Sequence, residues 1–356
     1  MSTEGETMPG TMARDTPSES ACERASATAE SAAGGDFACV VDALCGFRAR
    51  TGEAPLMLGG WEAEDPTIAP PAPLVAALQA IPPRLGGYTF ARDLGRARER
   101  AAALFAPDVT IGGEPPTRDT VALLQNGTQG LLLALAALKE HGVRRVVIAA
   151  PCYFAAVEVC RQLGLRTEVV PAADYLTGTL DLDRLAAQAG RSHSALLLTN
   201  PAYSLGVEYP AAQLAALYAA LPATTFVLLD ETRLGLHWQR EAPWARAAYP
   251  ARALVLRSPS KIFFINGLKS GVLFGATDLV RSVERLGEAL VGSYQGNAEA
   301  VALAYLLAWQ AWRDEVTGAQ YGPYRAWRHG VVGALRHNRD ALVPVLAARG
   351  FVLSPT

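Results

Sequence analysis

The chain lacks an excess of charge of either sign, a cysteine pattern and any long apolar run, and each shortage narrows what it can be. Its 32 Lys and Arg against 34 Asp and Glu leave a net charge of −2. That gives no electrostatic footprint for nucleic acid or for an anionic membrane as partner. Apolar runs such as Leu131 to Leu138 fall far short of the ~20 residues that a membrane-spanning helix needs. The five cysteines, Cys22, Cys39, Cys45, Cys152 and Cys160, are odd in number and contain no CxxC pair. They support neither a disulfide framework nor a zinc site. No basic segment leading into an apolar one opens the chain, so no secretory leader is expected. The expectation is a cytoplasmic protein with reduced thiols. No repeat period is visible.

What is present is a globular pattern. Hydrophobic residues make up 50% and charged residues 19% of 356 positions, a length that suggests about two domains. Residues 1–35 are rich in Ser, Thr, Ala, Glu and Gly without apolar periodicity, and a disordered tail is expected. An amphipathic helix is expected from Phe37 to Arg50, with Val40, Val41, Leu44 and Phe47 on one face. From residue 120 onward, short apolar runs alternate with helical stretches. The runs lie at 121–125, 145–149, 167–170, 195–199, 225–230, 253–257 and 271–275. Most are continuously apolar, as strands buried on both faces must be. The implied class is α/β, with a mostly parallel seven-stranded sheet between helices. Helices are expected at Gly130–Glu140, Ala155–Leu163, Leu182–Ala189, Ala211–Leu221, Leu279–Val291, Ala298–Trp312 and about Tyr324–Ala348, with a last strand at 351–353.

In an open parallel sheet, ligands sit beyond the carboxyl ends of the strands. The residues just after each run are Asn126-Gly127-Thr128-Gln129-Gly130, Pro151-Cys152-Tyr153, Asn200-Pro201, Asp230-Glu231 and Ser258-Pro259-Ser260-Lys261. A glycine-rich turn opening a helix suits an anion; it is equally a tight turn with a Thr128 cap. Asp230, ending an apolar strand, needs a partner such as a protonated ring nitrogen or the next turn. Lys261, followed by apolar residues, is a depressed-pKa nucleophile or a lysine lying along apolar neighbours. Asn200 can donate to a phenolate or simply begin a turn. Tyr153 can face a flat ligand or pack in the core.

Taken in order, these elements resemble the signature of class I/II, fold type I, pyridoxal 5'-phosphate (PLP) aminotransferases, from about Leu58 to the end of the chain. GGYTFARDLGRARERAAAL resembles a family segment, with Tyr88 and Gly95 in matching positions. NPAYSLG is similar to Asn-Pro-x-Asn-Pro-x-Gly, with Tyr203 and Ser204 substituted. SPSKIFFINGLKSG resembles Ser-x-Ser-Lys…Gly-Leu-Arg-x-Gly, with Lys269 in place of Arg. The resemblance implies that Lys261 holds PLP as a Schiff base and moves the substrate's Cα proton. It implies that Asp230 pairs with the ring nitrogen, Asn200 donates to the phenolic oxygen and Tyr153 stacks on the ring. Gly127, Thr128, Gln129, Ser258 and Lys269 would hold the phosphate, and Ser260 would be a further cofactor-binding residue. Tyr88 would reach the phosphate of a neighbouring subunit in a homodimer. The implied organisation is a tail (1–35), an N-terminal segment (36–57), a PLP-binding large domain (58–290) and a linker helix with a partial small domain (291–356). The implied reaction moves an amino group between an amino acid and a 2-oxo acid.

Three departures stand out. Arg233 occupies a position where the family has a Tyr, so it lies either near the phenolic oxygen and substrate or on the surface. Lys269 offers a point charge where a bidentate guanidinium is usual. The family's later small-domain strands and distal carboxylate-binding Arg are missing, which implies a fragment or a reduced small domain. These departures keep open another PLP reaction in specialised metabolism (lyase, cyclase or oxidase) or a non-catalytic PLP-binding partner.

Overall fold

The computed structural model describes residues 45–52, 68–171, 174, 179–203, 207–235, 247–318 and 321–351. Residues 1–60 form one compact unit and 61–356 a second. In the first, residues 45–51 are helical; the rest of the helix expected from Phe37, and the tail at 1–35, lie outside the described residues. Cys45 is disulfide-bonded, contrary to the expectation of reduced thiols, whereas Cys152 and Cys160 are free.

The strands of the second unit are β1 (Val109–Ile111), β2 (Val121–Leu124), β3 (Arg145–Ala150), β4 (Arg166–Pro171), β5 (Ser194–Thr199), β6 (Phe226–Asp230), β7 (Ala247–Tyr249), β8 (Ala253–Arg257) and β9 (Gly271–Gly275). Its helices are α1 (Ala72–Gln79), α2 (Gly95–Phe105), α3 (Gly127–Glu140), α4 (Ala155–Gln162), α5 (Leu182–Ala189), α6 (Ala211–Ala220), α7 (Pro259–Ile262), α8 (Thr277–Leu290), α9 (Ala298–Thr317) and α10 (Pro323–Ala347). All seven expected runs enter one sheet, in the order β2-β9-β8-β6-β5-β3-β4. It is parallel except at β9, which runs antiparallel to both β2 and β8. The central strands β5, β6 and β8 are buried at every position, which is why they read as unbroken apolar runs. Edge strand β4 is half exposed.

A pair of three-residue parallel strands, β1 and β7, was not expected from the sequence. Of the strand expected at 351–353, Phe351 lies in irregular backbone and the remainder is outside the described residues.

Side chains alternate across β6 and β8. Val227, Leu229, Ala253 and Val255 pack with α2 and α9, through Phe105, Tyr305 and Trp309. Phe226, Leu228, Leu254 and Leu256 pack on the other face with Leu131, Leu133 and Leu135 of α3. Helix α3 approaches the sheet closely because residue 130 is glycine. A Cβ there would fall 2.5 Å from Leu124 and 2.6 Å from Leu256. That glycine therefore serves helix–sheet packing.

Candidate active site

Register brings the ends of β5, β6 and β8 level: Thr199 pairs with Asp230, and Asp230 with Leu256. Asn200, Asp230 and Ser258 thus leave adjacent strands side by side. Beyond them opens a cavity of about 670 Å³ lined by Gly127, Thr128, Tyr153, Asp230, Arg233, Ser258, Ser260, Lys261 and Lys269 among others. The volume lies within the usual range for small-molecule sites.

Asp230 is fixed by a turn of its own. Its Oδ1 accepts from the Thr232 backbone N–H at 3.0 Å and from the Thr232 hydroxyl at 2.7 Å. Short polar side chains commonly bond the backbone two residues on. The Lys261 ammonium donates to the Thr232 hydroxyl at 3.4 Å and lies 5.8 Å from the centre of the Tyr153 ring. Thr232 therefore bridges the carboxylate and the amine. Nothing in the motif singled out this residue; a Thr two positions beyond a strand-end Asp was the available signal.

Burial lowers the Lys261 pKa, Asp230 opposes the shift, and the positive charges of Arg233 and Lys269 lower it further. A larger share of neutral, nucleophilic amine follows. Burial and the Asp230 charge together push the nearby Cys152 thiol up to about 11, so it stays protonated.

Asn126, not Thr128, caps α3: its side chain accepts from the Gln129 N–H at 2.9 Å. Gly127 and Thr128 follow at the cavity wall, bringing the positive end of α3 to it. Ser258 and Ser260 both direct hydroxyls at the Ser270 carbonyl, at 3.1 and 3.4 Å. Lys269 shares their cavity.

Arg233 is half-buried at the cavity wall rather than on the outer surface, its guanidinium 4.4 Å from the centre of the Tyr203 ring. Ser204 lies outside the described residues. Three expected site residues do not line the cavity. Gln129 turns its side chain back to cap the Gln125 N–H at 2.7 Å. Asn200 is buried beside Asp230 and accepts from the Tyr209 N–H at 3.0 Å. Tyr88 is 81% exposed.

Pro70, Phe264, Ile265 and Asn266 also line the cavity without having been expected. Phe264 has a φ of 57°. That conformation is uncommon for a bulky residue and is found where surrounding structure enforces it.

Residues 70–351 match the family model described as aminotransferase class I and II. The chain is 31% identical over 184 residues to histidinol-phosphate aminotransferase 2 of Ralstonia nicotianae, an alignment covering 50% of this chain and 48% of that protein. With histidinol-phosphate aminotransferase 1 of Bradyrhizobium diazoefficiens the identity is 28% over 292 residues, covering 81% and 72%. The chain thus spans about half the length of the first of these relatives. Among solved structures, the aspartate aminotransferase of Thermus thermophilus with maleate superposes with a TM-score of 0.70 at 20% identity, covering 90% of this chain and 79% of that one. The N-succinyldiaminopimelate aminotransferase of Mycobacterium tuberculosis gives 0.63 at 23% identity, covering 87% and 76%. At these identities the likeness is one of fold.

Proposed function

The chain belongs to the class I and II aminotransferase family, and from that premise we propose that it transfers an amino group between an amino acid and a 2-oxo acid, with PLP held on Lys261. The family is PLP-dependent. One observation carries the reading: a partly desolvated lysine amine and a buried strand-end carboxylate share one cavity and are bridged by Thr232.

The residues present fit a flat pyridine aldehyde bearing a phosphate. Lys261 supplies the amine that a carbonyl requires. Asp230 suits a protonated ring nitrogen, and the Tyr153 ring offers a face to pack on. Lys269 and the opening of α3 at Gly127 and Thr128 suit a dianion, with the Ser258 and Ser260 hydroxyls near it. When bound, PLP supplies the electron sink for chemistry at the donor's Cα. Lys261 then stands to take and return the Cα proton, and Asp230 keeps the ring nitrogen protonated. Asn200, buried beside Asp230 without lining the cavity, would have to turn its amide N–H toward the cavity to reach the phenolic oxygen. The reading assigns residues 58–290 to the cofactor-binding domain and 291–356 to a linker helix and partial small domain. It includes a homodimer in which the exposed Tyr88 reaches the neighbour's cofactor phosphate.

Borohydride treatment of the PLP-loaded protein should leave a pyridoxyl label on Lys261 in peptide maps. Adding an amino acid should yield pyridoxamine phosphate. A label on a different lysine would overturn the assignment. Arg233 at the cavity wall favours a second reading, another PLP reaction such as a lyase, cyclase or oxidase. PLP binding and substrate turnover without pyridoxamine phosphate would select it.

A further inference from the structure

We infer that Gly127 is a positioning residue for the Asp230–Lys261 pair and acts on it through Thr232. This goes beyond the phosphate contact that the reading above gives Gly127, and it names the device that sets carboxylate and amine at one angle.

Gly127 opens α3, and its φ is not positive. Backbone freedom therefore does not require a glycine there, and alanine is the better helix former. Space supplies the reason. Apart from its chain neighbours and the backbone of its own helix, a Cβ at this position would come within 4 Å of Thr232 alone among the described residues, 3.0 Å from Cγ2 and 3.9 Å from Cβ. The shorter distance is tighter than real Cβ contacts ordinarily are, so the threonine would have to move.

Thr232 has little room to give way. It is buried, and its hydroxyl both donates to Asp230 Oδ1 at 2.7 Å and accepts from the Lys261 ammonium at 3.4 Å. Its backbone N–H donates to the same Oδ1 at 3.0 Å. Hydroxyl and methyl stand on one carbon, so a single torsion places both. Seating the methyl against Gly127 therefore aims the hydroxyl between carboxylate and amine. Pushing the methyl away swings the hydroxyl out of line with both. The contact links three elements far apart in sequence: the opening of α3, the turn after β6, and α7, which carries Lys261. Small misplacements of reacting groups are costly to a reaction, which gives this packing contact a functional consequence.

The test uses the full chain freed of cofactor and follows acetylation of Lys261 by acetic anhydride, read by peptide mass against pH. Absence of the pyridoxyl label described above would count against the cofactor reading alone; the acetylation pattern decides this inference. Asp230, Arg233 and Lys269 act on the amine by charge and are retained in every variant. Thr232→Val keeps the methyl and the shape but loses the hydroxyl that accepts from the ammonium. More of the amine is then neutral, and below the midpoint Lys261 should label roughly two- to tenfold faster, the worth of one hydrogen bond. Thr232→Ser keeps the hydroxyl and should label near the parent's rate. Gly127→Ala should move labelling in the direction of Thr232→Val. Adding Thr232→Ser to it removes the Cγ2 that the new Cβ meets and should return labelling to the rate of Thr232→Ser alone. A merely structural contact would move the urea midpoint without this pattern. Parent-like labelling in Thr232→Val or in Gly127→Ala, or a double variant no closer to the parent than Gly127→Ala, would overturn the inference. If Gly127→Ala does not fold, folding of the double variant would support the inference, and failure of both would overturn it.

Discussion

Two charged groups leave β6 as consecutive residues and meet opposite surroundings. Asp230 emerges on the α3 side, into a cavity it shares with Lys261, Arg233 and Lys269. Glu231 emerges on the other side, where Arg257 of β8 donates to it from Nε at 3.0 Å and forms an ion pair with it through Nη2 at 2.9 Å. The Tyr249 hydroxyl donates to its other oxygen at 2.6 Å. The Phe105 and Phe274 rings flank the guanidinium at 5.2 and 5.8 Å. Burial and the charge of Glu231 hold the Tyr249 hydroxyl well above the usual tyrosine range, which keeps it a donor.

Area does not separate the two carboxylates: Asp230 is 6% exposed and Glu231 3%. What separates them is where the compensating charge lies. Glu231 is answered inside the protein by Arg257 and Tyr249, in a network that holds β6, β7 and β8 together. Asp230 faces volume that a ligand can enter. A buried charge therefore points to chemistry only when part of its compensation is left to an occupant.

The largest effect expected from breaking this contrast is on stability. Glu231→Ala leaves the Arg257 charge buried without its partner and should cost about 3–5 kcal/mol in urea unfolding. Glu231→Leu combined with Arg257→Met should recover part of that loss, since an apolar pair replaces the ion pair while the buried Tyr249 hydroxyl loses both partners. A double variant as unstable as the single would show that the pair matters for some reason other than charge.

On the cavity side, the effect should fall on rate. If the proposed amino transfer is the activity, Asp230→Ala should slow it by about 10²–10³, as loss of one electrostatic partner does, while its urea midpoint stays near the parent's. A midpoint shift as large as that of Glu231→Ala would erase the distinction between the two carboxylates.

Thr232→Val sharpens the contrast with a smaller change. It removes the hydroxyl that donates to Asp230 and accepts from Lys261 but retains the backbone N–H that holds the carboxylate. A loss of about 1 kcal/mol, roughly fivefold in rate, is expected. An unchanged rate would remove Thr232 from the site.

The smallest effect is on pH dependence. On the proposed reading, in which Lys261 captures PLP as the neutral amine, the capture rate should rise with pH and level off below the range of an ordinary lysine. Asp230 stabilises the ammonium form, so Asp230→Asn should move the midpoint to lower pH. Arg233 opposes that form, so Arg233→Gln should move it to higher pH. Movement in the opposite sense in either variant would show that the group does not act on the amine through charge.

The seven sheet strands and the major helices after residue 127 were legible in the sequence. A strand buried on both faces has to be apolar throughout, and a helix lying on it has to repeat its apolar residues. The set of strand-end residues was legible for a related reason: parallel strands all deliver their ends to the same edge. The cap at Asn126, the bridge through Thr232 and the inward position of Arg233 were not legible. Each depends on which way a turn directs a side chain.

By itself, then, the sequence determined the layered architecture and the order in which the strand-end residues arrive, because both follow from local pattern and from the direction of parallel strands. Only the tertiary structure decided which charges close on one another and which face the cavity. It paired β1 with β7, placed Phe264 at a positive φ, locked Glu231 to Arg257 and set the Arg233 guanidinium over the Tyr203 ring. These outcomes depend on contacts between segments far apart in the chain, or on backbone conformations that such contacts enforce, and a carboxylate or guanidinium looks the same in sequence whether its partner is another side chain or a ligand.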